Sequence, residues 1–359
     1  MRYGLWAIGL IVLLIAARMA FIVIPASGAL TPVSEIGTQG CERVAVAPGT
    51  EDVTVDPVTG LAFVSAQDRR AGAATQGGRA GAMAQTNGIY VFNPADPSRV
   101  TLASIDSPAD FRPHGISLWR GRGPDGEDIA RLFVISHPAG GSRVLIYDVG
   151  EGGALVHLET VSAPDIRSPN DVVGVGPRQF YITNDTYFGD TPMGFLEAFL
   201  GLPLGSVAYF DGEAARIVAG GFIYTNGINV SGAGDRLYVA AFLGREVRVF
   251  ERDASDGSLR RLASHRLPMG ADNIEIGSDG ALYVGGNVDV FAFLAHSTDP
   301  EALAPSVVMR LDPETGERRT VFMNDGSLIN SASVGAVHDG RLLVGAVFDG
   351  HVLVCPYAG

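Results

Sequence analysis

Oxygen-bearing side chains recur in this sequence at the starts of short hydrophobic runs, as Asn170-Asp171 does before VVGV. Carboxylate and amide oxygens are the ligands that Ca²⁺ prefers, and it takes about six to eight of them. A single such pair is more typical of a strand cap or an Asx turn, but recurrence at one phase of the chain favours a shared cation site. The candidate ligands are Glu51, Asn170, Asn226, Asp272 and Asn273, with Asp52 and Asp171 as candidates for a second, structural cation.

Two of the seven histidines occur at the same phase of the pattern. His114 begins the run HGISLW, and His137 directly follows the next run, RLFVIS. If the fold brings them together, one imidazole could act as a general base and the other as its supporting partner. The alternative is that each is a polar residue with satisfied hydrogen bonds and no catalytic role.

An internal repeat indicates which elements must position these residues. Each unit has polar or small residues, a short β-type run, a Gly/Asp turn and a second run, usually followed by a third. The units begin at Glu51, His114, Asn170, Asn226, Asp272 and Ser331. Repeats of about 40–50 residues with four short strands each are typical of β-propellers. Six units therefore predict an all-β, six-bladed β-propeller in which insertions lengthen the loops.

The geometry of a propeller would collect the candidate residues at one place. The first strand of each blade lines the central channel, so the residues that begin these strands converge at one mouth. The second strand runs back to that mouth, where Asp185 and Asn287 would then lie. We expect these two residues, together with Tyr224 and Phe348, to surround the site and to contact substrate or the metal ligands.

Two cysteines, Cys41 and Cys355, lie near the two ends of the repeat region. A disulfide between them is the natural interpretation for an exported protein; the alternative is two unrelated buried thiols. The strands CERVAV and HVLVC would then lie side by side in one blade and close the ring.

The N-terminus differs from the rest of the chain. Residues 1–24 are apolar apart from Arg2 and Arg18, which predicts a membrane anchor or a signal segment, with the anchor favoured. Residues 25–40 would be a linker and residues 41–359 the catalytic propeller. Either interpretation of the segment exports the remainder to an extracytoplasmic compartment.

Composition narrows the class of partner. The net charge is −13, and all 26 basic residues are arginine. An acidic protein lacks the basic footprint that nucleic-acid binding needs, so we expect no nucleic acid. The apolar segments GFLEAFLGLPLG (194–205) and VFAFLAHSTDPEAL (290–303) should be loops at the mouth that contact a membrane or a small lipophilic substrate. The Gly- and Ala-rich insertion 67–88 is a candidate lid.

Several segments together resemble the paraoxonase/arylesterase family over nearly the whole exported chain. They are PGTEDVTV, RPHGISLW, LFVISHP, SPNDVVGVGPRQFYITNDTYF, TNGINVS, ADNIEI and LLVGAVF. The resemblance implies a six-bladed propeller with two Ca²⁺ ions. The catalytic ion would take the five ligands given above, and the structural ion would take Asp52, Asp171 and the carbonyl of Ile116. It further implies His114 and His137 as a catalytic dyad, hydrolysis of lactones and aryl esters, and an uncleaved hydrophobic N-terminus.

The sequence departs from the family pattern at three positions near the expected pocket. Asn287 stands where the family has a further active-site histidine, Thr186 where a histidine commonly follows TND, and Gly286 where a cysteine is frequent. These changes predict an altered pocket that is compatible with lactone hydrolysis, and they argue against aryl-ester and phosphotriester side activities. Glu51 or Asp272 is an alternative to His114 as the base. The competing hypothesis is a non-enzymatic, calcium-bound propeller that binds a ligand or partner.

Overall fold

The computed structural model describes residues 2–29, 31–70, 87–123 and 125–359. Within them, 24 strands form six four-stranded antiparallel sheets, each built from consecutive strands except at the closure of the ring. This confirms the predicted six-bladed β-propeller. Residues 71–86, which make up most of the candidate lid, lie outside the described residues.

The first three blades follow one another along the chain. Blade 1 consists of β2 (Thr50–Val55), β3 (Ala62–Ala66), β4 (Gly88–Asn93) and β5 (Asp96–Leu102). Blade 2 consists of β6 (Pro113–Arg122), β7 (Asp128–Ser136), β8 (Arg143–Val149) and β9 (Leu155–Val161). Blade 3 consists of β10 (Pro169–Gly174), β11 (Phe180–Asn184), β12 (Gly205–Phe210) and β13 (Ala215–Phe222).

The last three blades complete the ring. Blade 4 consists of β14 (Thr225–Val230), β15 (Arg236–Ala241), β16 (Glu246–Arg252) and β17 (Leu259–Arg266). Blade 5 consists of β18 (Gly270–Ile276), β19 (Leu282–Asn287), β20 (Ser306–Leu311) and β21 (Arg318–Asn324). Blade 6 consists of β22 (Ala332–His338), β23 (Arg341–Ala346), β24 (His351–Pro356) and β1 (Glu42–Ala45).

The second strand of a blade is buried along its length, because it packs between two neighbouring blades. Strand β3, with the sequence AFVSA, has no exposed residue, and β11 and β19 are equally buried. These strands read as nearly continuous apolar runs. The outer strands alternate between exposed and half-buried residues, as β9 does. The core of the molecule is therefore a ring of hydrophobic contacts between blades.

The ring closes as the sequence predicts. Strand β1 pairs antiparallel with β24, so the N-terminal strand is the outermost strand of the last blade. Cys41 and Cys355 form a disulfide that joins residues 314 positions apart. Before β1, Ile36 exchanges two backbone hydrogen bonds with Met323 of blade 5. The two ends of the described propeller are thus fastened both to each other and to a neighbouring blade.

Helices occupy the two apolar segments that we predicted to be loops. Helix α1 (Arg2–Ser27) precedes the propeller, α2 (Pro192–Phe199) follows β11, and α3 (Val290–Thr298) follows β19. The loop prediction was incomplete because Thr191 and Asp289 act as N-caps, accepting hydrogen bonds from backbone amides of the first turn. Among the described residues, no helix meets the length and hydropathy expected of a membrane span.

Candidate active site at the mouth of the channel

An irregularity recurs at the same end of all six inner strands. The pairing between the first and second strands shifts register there, which places one or two residues outside the ladder. Such β-bulges bend a strand and re-aim its side chains, and they are common beside active sites. The residues outside the ladder are Glu51, His114-Gly115, Asn170-Asp171, Asn226-Gly227, Asp272-Asn273 and Ser333.

Glycine at two bulges lets neighbouring inner strands approach closely. A Cβ atom on Gly115 would lie 2.5 Å from Asp171 Oδ1 and 2.6 Å from Asp171 Cα. A Cβ atom on Gly227 would lie 2.4 Å from the carbonyl oxygen of Asp272. The absence of a side chain at these positions allows the polar residues of adjacent blades to meet at the axis.

The five predicted ligands of the catalytic cation are all buried at this mouth: Glu51, Asn170, Asn226, Asp272 and Asn273. Asn273 donates its amide to the carboxylate of Glu51 at 2.9 Å and to the Glu51 carbonyl at 3.3 Å. Asn226 hydrogen-bonds the carboxylate of Asp272. The bridge from Asn273 to Glu51 joins blade 5 to blade 1, so this part of the cluster is assembled only when the ring is closed.

Four oxygen atoms of this cluster have no hydrogen-bond partner although they are buried. They are Glu51 Oε2, Asn170 Oδ1, Asn226 Oδ1 and Asn273 Oδ1. A buried oxygen without a donor costs free energy, roughly 1–3 kcal/mol each, and native proteins seldom leave such groups unsatisfied. Mixed amide and carboxylate oxygens fit a hard cation such as Ca²⁺. In the described part of the chain, no three His, Cys, Asp or Glu residues are grouped in a way that could hold a metal ion. Three of the five candidate ligands are asparagines, so this cluster depends on amide oxygens as well as carboxylates.

Asp52 and Asp171 lie deeper and link one blade to the next. Asp52 accepts hydrogen bonds from the amides of Val53 at 2.9 Å and Ile116 at 2.7 Å. Asp171 accepts from Val172 at 2.7 Å and from Ile228 at 2.8 Å. The backbone amide of Ile116 is thus already engaged by Asp52. Binding of a second ion through the Ile116 carbonyl remains a prediction.

Burial makes these carboxyl groups hold their protons more strongly than usual. It raises the pKa of Asp52, Asp171 and Asp272 well above the ordinary value, and neighbouring carboxylates raise these pKa values further. Burial also raises the pKa of Glu51, opposed by the charge of Arg69 and the hydrogen bond from Asn273. A bound cation would relieve this crowding of negative charge.

The two predicted catalytic histidines are neighbours. Their ring centroids lie 5.0 Å apart with the rings nearly perpendicular. His114 Nε2 is 3.6 Å from Glu51 Oε1, and His137 Nδ1 lies 2.9 Å from the hydroxyl of Ser142. Burial, with the charge of Arg69, lowers the pKa of His114 well below its usual value. Burial and His114 lower the pKa of His137 to about 3, so both imidazoles are neutral at physiological pH.

Asp185 and Tyr224 form a polar pair at the edge of the cluster. Asp185 accepts hydrogen bonds from Ser168 and Thr186, and burial raises its pKa to about 6. The charge of Asp185, then burial, raises the pKa of Tyr224 well above its usual value. Tyr224 adopts a left-handed backbone conformation with φ of 58°. Such strain is concentrated at functional sites.

Asn287 is fully buried at the end of β19, and neither its amide nitrogen nor its oxygen has a hydrogen-bond partner. The side chain therefore retains both a donor and an acceptor for a molecule in the pocket. Asn287 pairs with Gly270, the first residue of β18. Because inner strands begin at the mouth, this pairing places Asn287 at the mouth, as expected.

A row of aromatic rings connects Tyr224 to Phe348. Successive centroid distances are 6.1 Å from Tyr224 to Phe242, 6.4 Å from Phe242 to Phe293, and 5.5 Å from Phe293 to Phe348. Helix α3 contributes Phe293 to this row, so part of the apolar surface comes from a helix. Sequence analysis missed Phe242, since an isolated phenylalanine carries no signal of its partner across the ring. Phe293 lies in the segment 290–303 that we expected at the mouth.

Two further polar contacts were not expected. Ser333 donates a hydrogen bond of 2.5 Å to the carbonyl of Glu51 from blade 6. Ser333 lies at the same position in its repeat unit as the other site residues. That position in the repeat could have identified it from the sequence. Arg69, which follows β3, reaches to 3.8 Å from Glu51; its loop position gives no such signal.

The opposite end of the channel holds a separate cavity of about 1050 Å³. It is lined by the far ends of the inner strands, including Thr54, Ser117 and Glu275. Burial raises the pKa of Glu275 to about 8. None of the five candidate ligands lines this cavity, so we assign the site to the mouth.

Comparison with known proteins identifies the family of the chain. A sequence profile of the Arylesterase family matches residues 49–356. Serum paraoxonase/arylesterase 2 from Gallus gallus is 33% identical over 320 residues, 84% of each chain. Serum paraoxonase/arylesterase 1 from Homo sapiens is 31% identical over 340 residues, 89% of this chain and 90% of that protein.

Solved structures support the fold at lower identity. A luciferin-regenerating enzyme superposes with a TM-score of 0.54 at 15% identity, covering 89% of this chain and 97% of that one. Regucalcin from Agrobacterium tumefaciens str. C58 gives a TM-score of 0.50 at 15% identity, covering 90% and 94%. With the family profile and the relatives above, the chain therefore belongs to the paraoxonase/arylesterase family and is a hydrolase.

Proposed function

We propose that this protein is a calcium-dependent hydrolase of lactones and aryl esters that uses two Ca²⁺ ions. The observation that carries the proposal is the set of four buried, unpartnered oxygens at the mouth. Glu51, Asn170, Asn226, Asp272 and Asn273 would hold the catalytic ion. Asp52, Asp171 and the carbonyl of Ile116 would hold the structural one.

The chemistry divides between the ion and the chain. Bound Ca²⁺ would supply Lewis-acid polarisation of a carbonyl group and stabilisation of developing negative charge. His114 is neutral, lies beside Glu51, and is the group that accepts a proton from the attacking water. His137 packs against His114 and is oriented by Ser142. In this orientation the His137 ring can stabilise His114 when His114 becomes positively charged by accepting the proton.

The surroundings favour a lipophilic substrate. The aromatic row from Tyr224 to Phe348 offers apolar contacts, and Arg70 lies over the Phe348 ring at 4.8 Å. Asn287 offers one hydrogen-bond donor and one acceptor to the ester or lactone group. Together they would orient a small cyclic or aromatic ester with its carbonyl toward the cluster.

The proposal is tested with the purified protein and a panel of γ-lactones, δ-lactones and phenyl acetate. We expect turnover that is lost in EDTA and restored by added calcium, and a calcium titration that reports two ions. Absence of EDTA-sensitive turnover on every substrate would instead favour the non-enzymatic binding hypothesis.

The identity of the base is tested by comparing His114→Gln with Asp272→Ala. If His114 accepts the proton, His114→Gln should lower kcat by about 10²–10⁴-fold and leave calcium binding near wild type. A His114→Gln enzyme with unchanged kcat, beside an inactive Asp272→Ala enzyme, would show that the histidine pair does not supply the base.

We also propose an extracytoplasmic protein whose mouth faces a membrane. The relatives are named serum paraoxonase/arylesterase, which indicates secretion of those proteins. A disulfide is typical of an oxidising compartment. Phe195 of α2 and Phe291 of α3 are 72% and 52% exposed. A Cβ atom on Gly28, just after α1, would lie 1.6 Å from the carbonyl oxygen of Val288, so α1 ends close to the start of α3. The exposed phenylalanines and the position of the end of α1 beside α3 support N-terminal anchoring on the side of the mouth.

A further inference from the structure

Arg69 brings a permanent positive charge to the mouth from outside the inner strands. It follows β3 in blade 1, and its side chain is only 15% exposed. Its Nη1 donates toward three backbone carbonyls: Gly49 at 3.4 Å, Gln67 at 3.5 Å and Val347 at 3.2 Å. These contacts hold the guanidinium in one orientation between blades 1 and 6.

The other end of the guanidinium faces the proposed ion ligands. Arg69 Nη2 lies 3.8 Å from Glu51 Oε2, and neither atom has a hydrogen-bond partner although both are buried. The charge of Arg69 also acts on Asp272 and His114. Charges at this separation in a buried site interact strongly, because little water lies between them to screen the field.

The next residue, Arg70, is engaged elsewhere. Its Nη2 donates to the carbonyl of His296 at the last turn of α3 at 2.7 Å, and its guanidinium lies over Phe348. Arg70 therefore attaches the chain to α3, while Arg69 projects its charge into the ligand cluster. Of these two adjacent arginines, Arg69 is the one placed to influence a cation in the cluster.

We propose that Arg69 is a built-in counter-cation of the ligand cluster that competes electrostatically with calcium. This rests on the proposed function, since it concerns the same calcium site. In the metal-free protein Arg69 favours the ionised forms of Glu51 and Asp272 by offsetting their negative charge, and so stabilises the fold. In the loaded protein the same fixed charge repels the ion and weakens its binding.

The test measures calcium affinity by competition with a chromophoric chelator, and the melting temperature in excess EDTA. Arg69→Gln keeps a hydrogen-bonding side chain and removes the charge. We expect it to bind calcium at least tenfold more tightly, equivalent to about 1.4 kcal/mol, and to melt at a lower temperature than wild type in EDTA.

Two variants serve as controls. Arg69→Lys retains the charge and should keep an affinity close to that of wild type. Arg248→Gln removes an arginine of similar burial that pairs with Glu246 in blade 4, and it should leave calcium affinity unchanged. A tenfold change confined to Arg69→Gln separates a local charge effect from a change in the net charge of the protein.

Other outcomes would contradict the inference in distinguishable ways. Unchanged or weaker calcium binding by Arg69→Gln, with normal binding by wild type, would overturn the role of Arg69 and leave the proposed function standing. Failure of Arg69→Gln to fold even in saturating calcium would show that the carbonyl hydrogen bonds, and not the charge, matter. Absence of calcium binding by every variant and by wild type would overturn both proposals.

Discussion

At the scale of single residues, the mouth combines carboxyl groups whose pKa values are raised with imidazoles whose pKa values are lowered. Burial raises the pKa of Asp52, Asp171 and Asp272 and lowers that of His114 and His137. Both shifts reduce charge in a site shielded from water. A divalent cation reverses the balance for the carboxyl groups, because it favours their ionised form.

This balance predicts how pH affects calcium binding. Protons compete with calcium for carboxyl groups whose pKa values are raised above about 4, the ordinary value for aspartate. Loss of these protons frees the carboxylates for the ion, so the increase in melting temperature caused by calcium should grow as pH rises from about 4 toward neutrality. Calorimetric scans with calcium and with EDTA at each pH measure this difference; an increment independent of pH would contradict it.

At the scale of elements, the bulge at the beginning of each inner strand presents the site residues. A regular strand would direct Asn170 and Asp171 to opposite faces. The register shift between Pro169 and Val172 releases both from the ladder, and Asp171 then reaches the next blade through Ile228. The bulges and the small residues beside them allow Asn170 to lie in the cluster at the mouth while Asp171 hydrogen-bonds the next blade.

Gly227→Ala tests the close approach of blades 4 and 5. The added methyl group would lie 2.4 Å from the Asp272 carbonyl oxygen and 2.6 Å from Asn273 Cα, which is overpacking against backbone. We expect a loss of about 1–3 kcal/mol in the free energy of unfolding, measured in urea, together with weaker calcium binding. Gly232→Ala in the same blade, where a Cβ would meet nothing within 4 Å, is the matched control and should leave both quantities nearly unchanged.

At the scale of the whole molecule, closure of the ring is a condition for the site. Glu51 of blade 1 meets Asn273 of blade 5 and Ser333 of blade 6. Glu51 lies in the first blade and its partners in the last two, so these contacts require a closed ring. The disulfide and the pairing of β1 with β24 therefore stabilise the site as well as the fold.

Removal of the disulfide should measure this dependence. The double variant Cys41→Ser/Cys355→Ser releases a cross-link between residues 314 positions apart. The chain-entropy model predicts a loss of about 6 kcal/mol in the free energy of unfolding, measurable by denaturant titration. A reducing agent should destabilise the wild type similarly and leave the double variant unaffected. Equal stability of the two oxidised proteins would show that strand pairing alone closes the ring.

Membrane contact at the mouth predicts that phenylalanines of α2 and α3 contribute to lipid binding. The variant Phe195→Ser/Phe291→Ser should bind phosphatidylcholine vesicles several-fold more weakly than wild type in a flotation assay, because it exposes less apolar surface to the bilayer. Val58, 72% exposed in the turn between β2 and β3, lies at the opposite end of the channel. Val58→Ser should bind like wild type; equal losses in both variants would exclude an oriented contact.

The sequence alone determined the repeat, and with it the six blades, the closing strand and the residues gathered at one mouth. This follows because strand direction and the central channel fix where the start of each unit must lie. Tertiary structure decided the rest. The bulges depend on the register between two strands. The approach of the Arg69 side chain to Glu51 depends on how blades 1 and 6 pack. The aromatic row depends likewise on where α3 lies over the ring. Such contacts join residues far apart in the chain, so no local pattern of residue types encodes them.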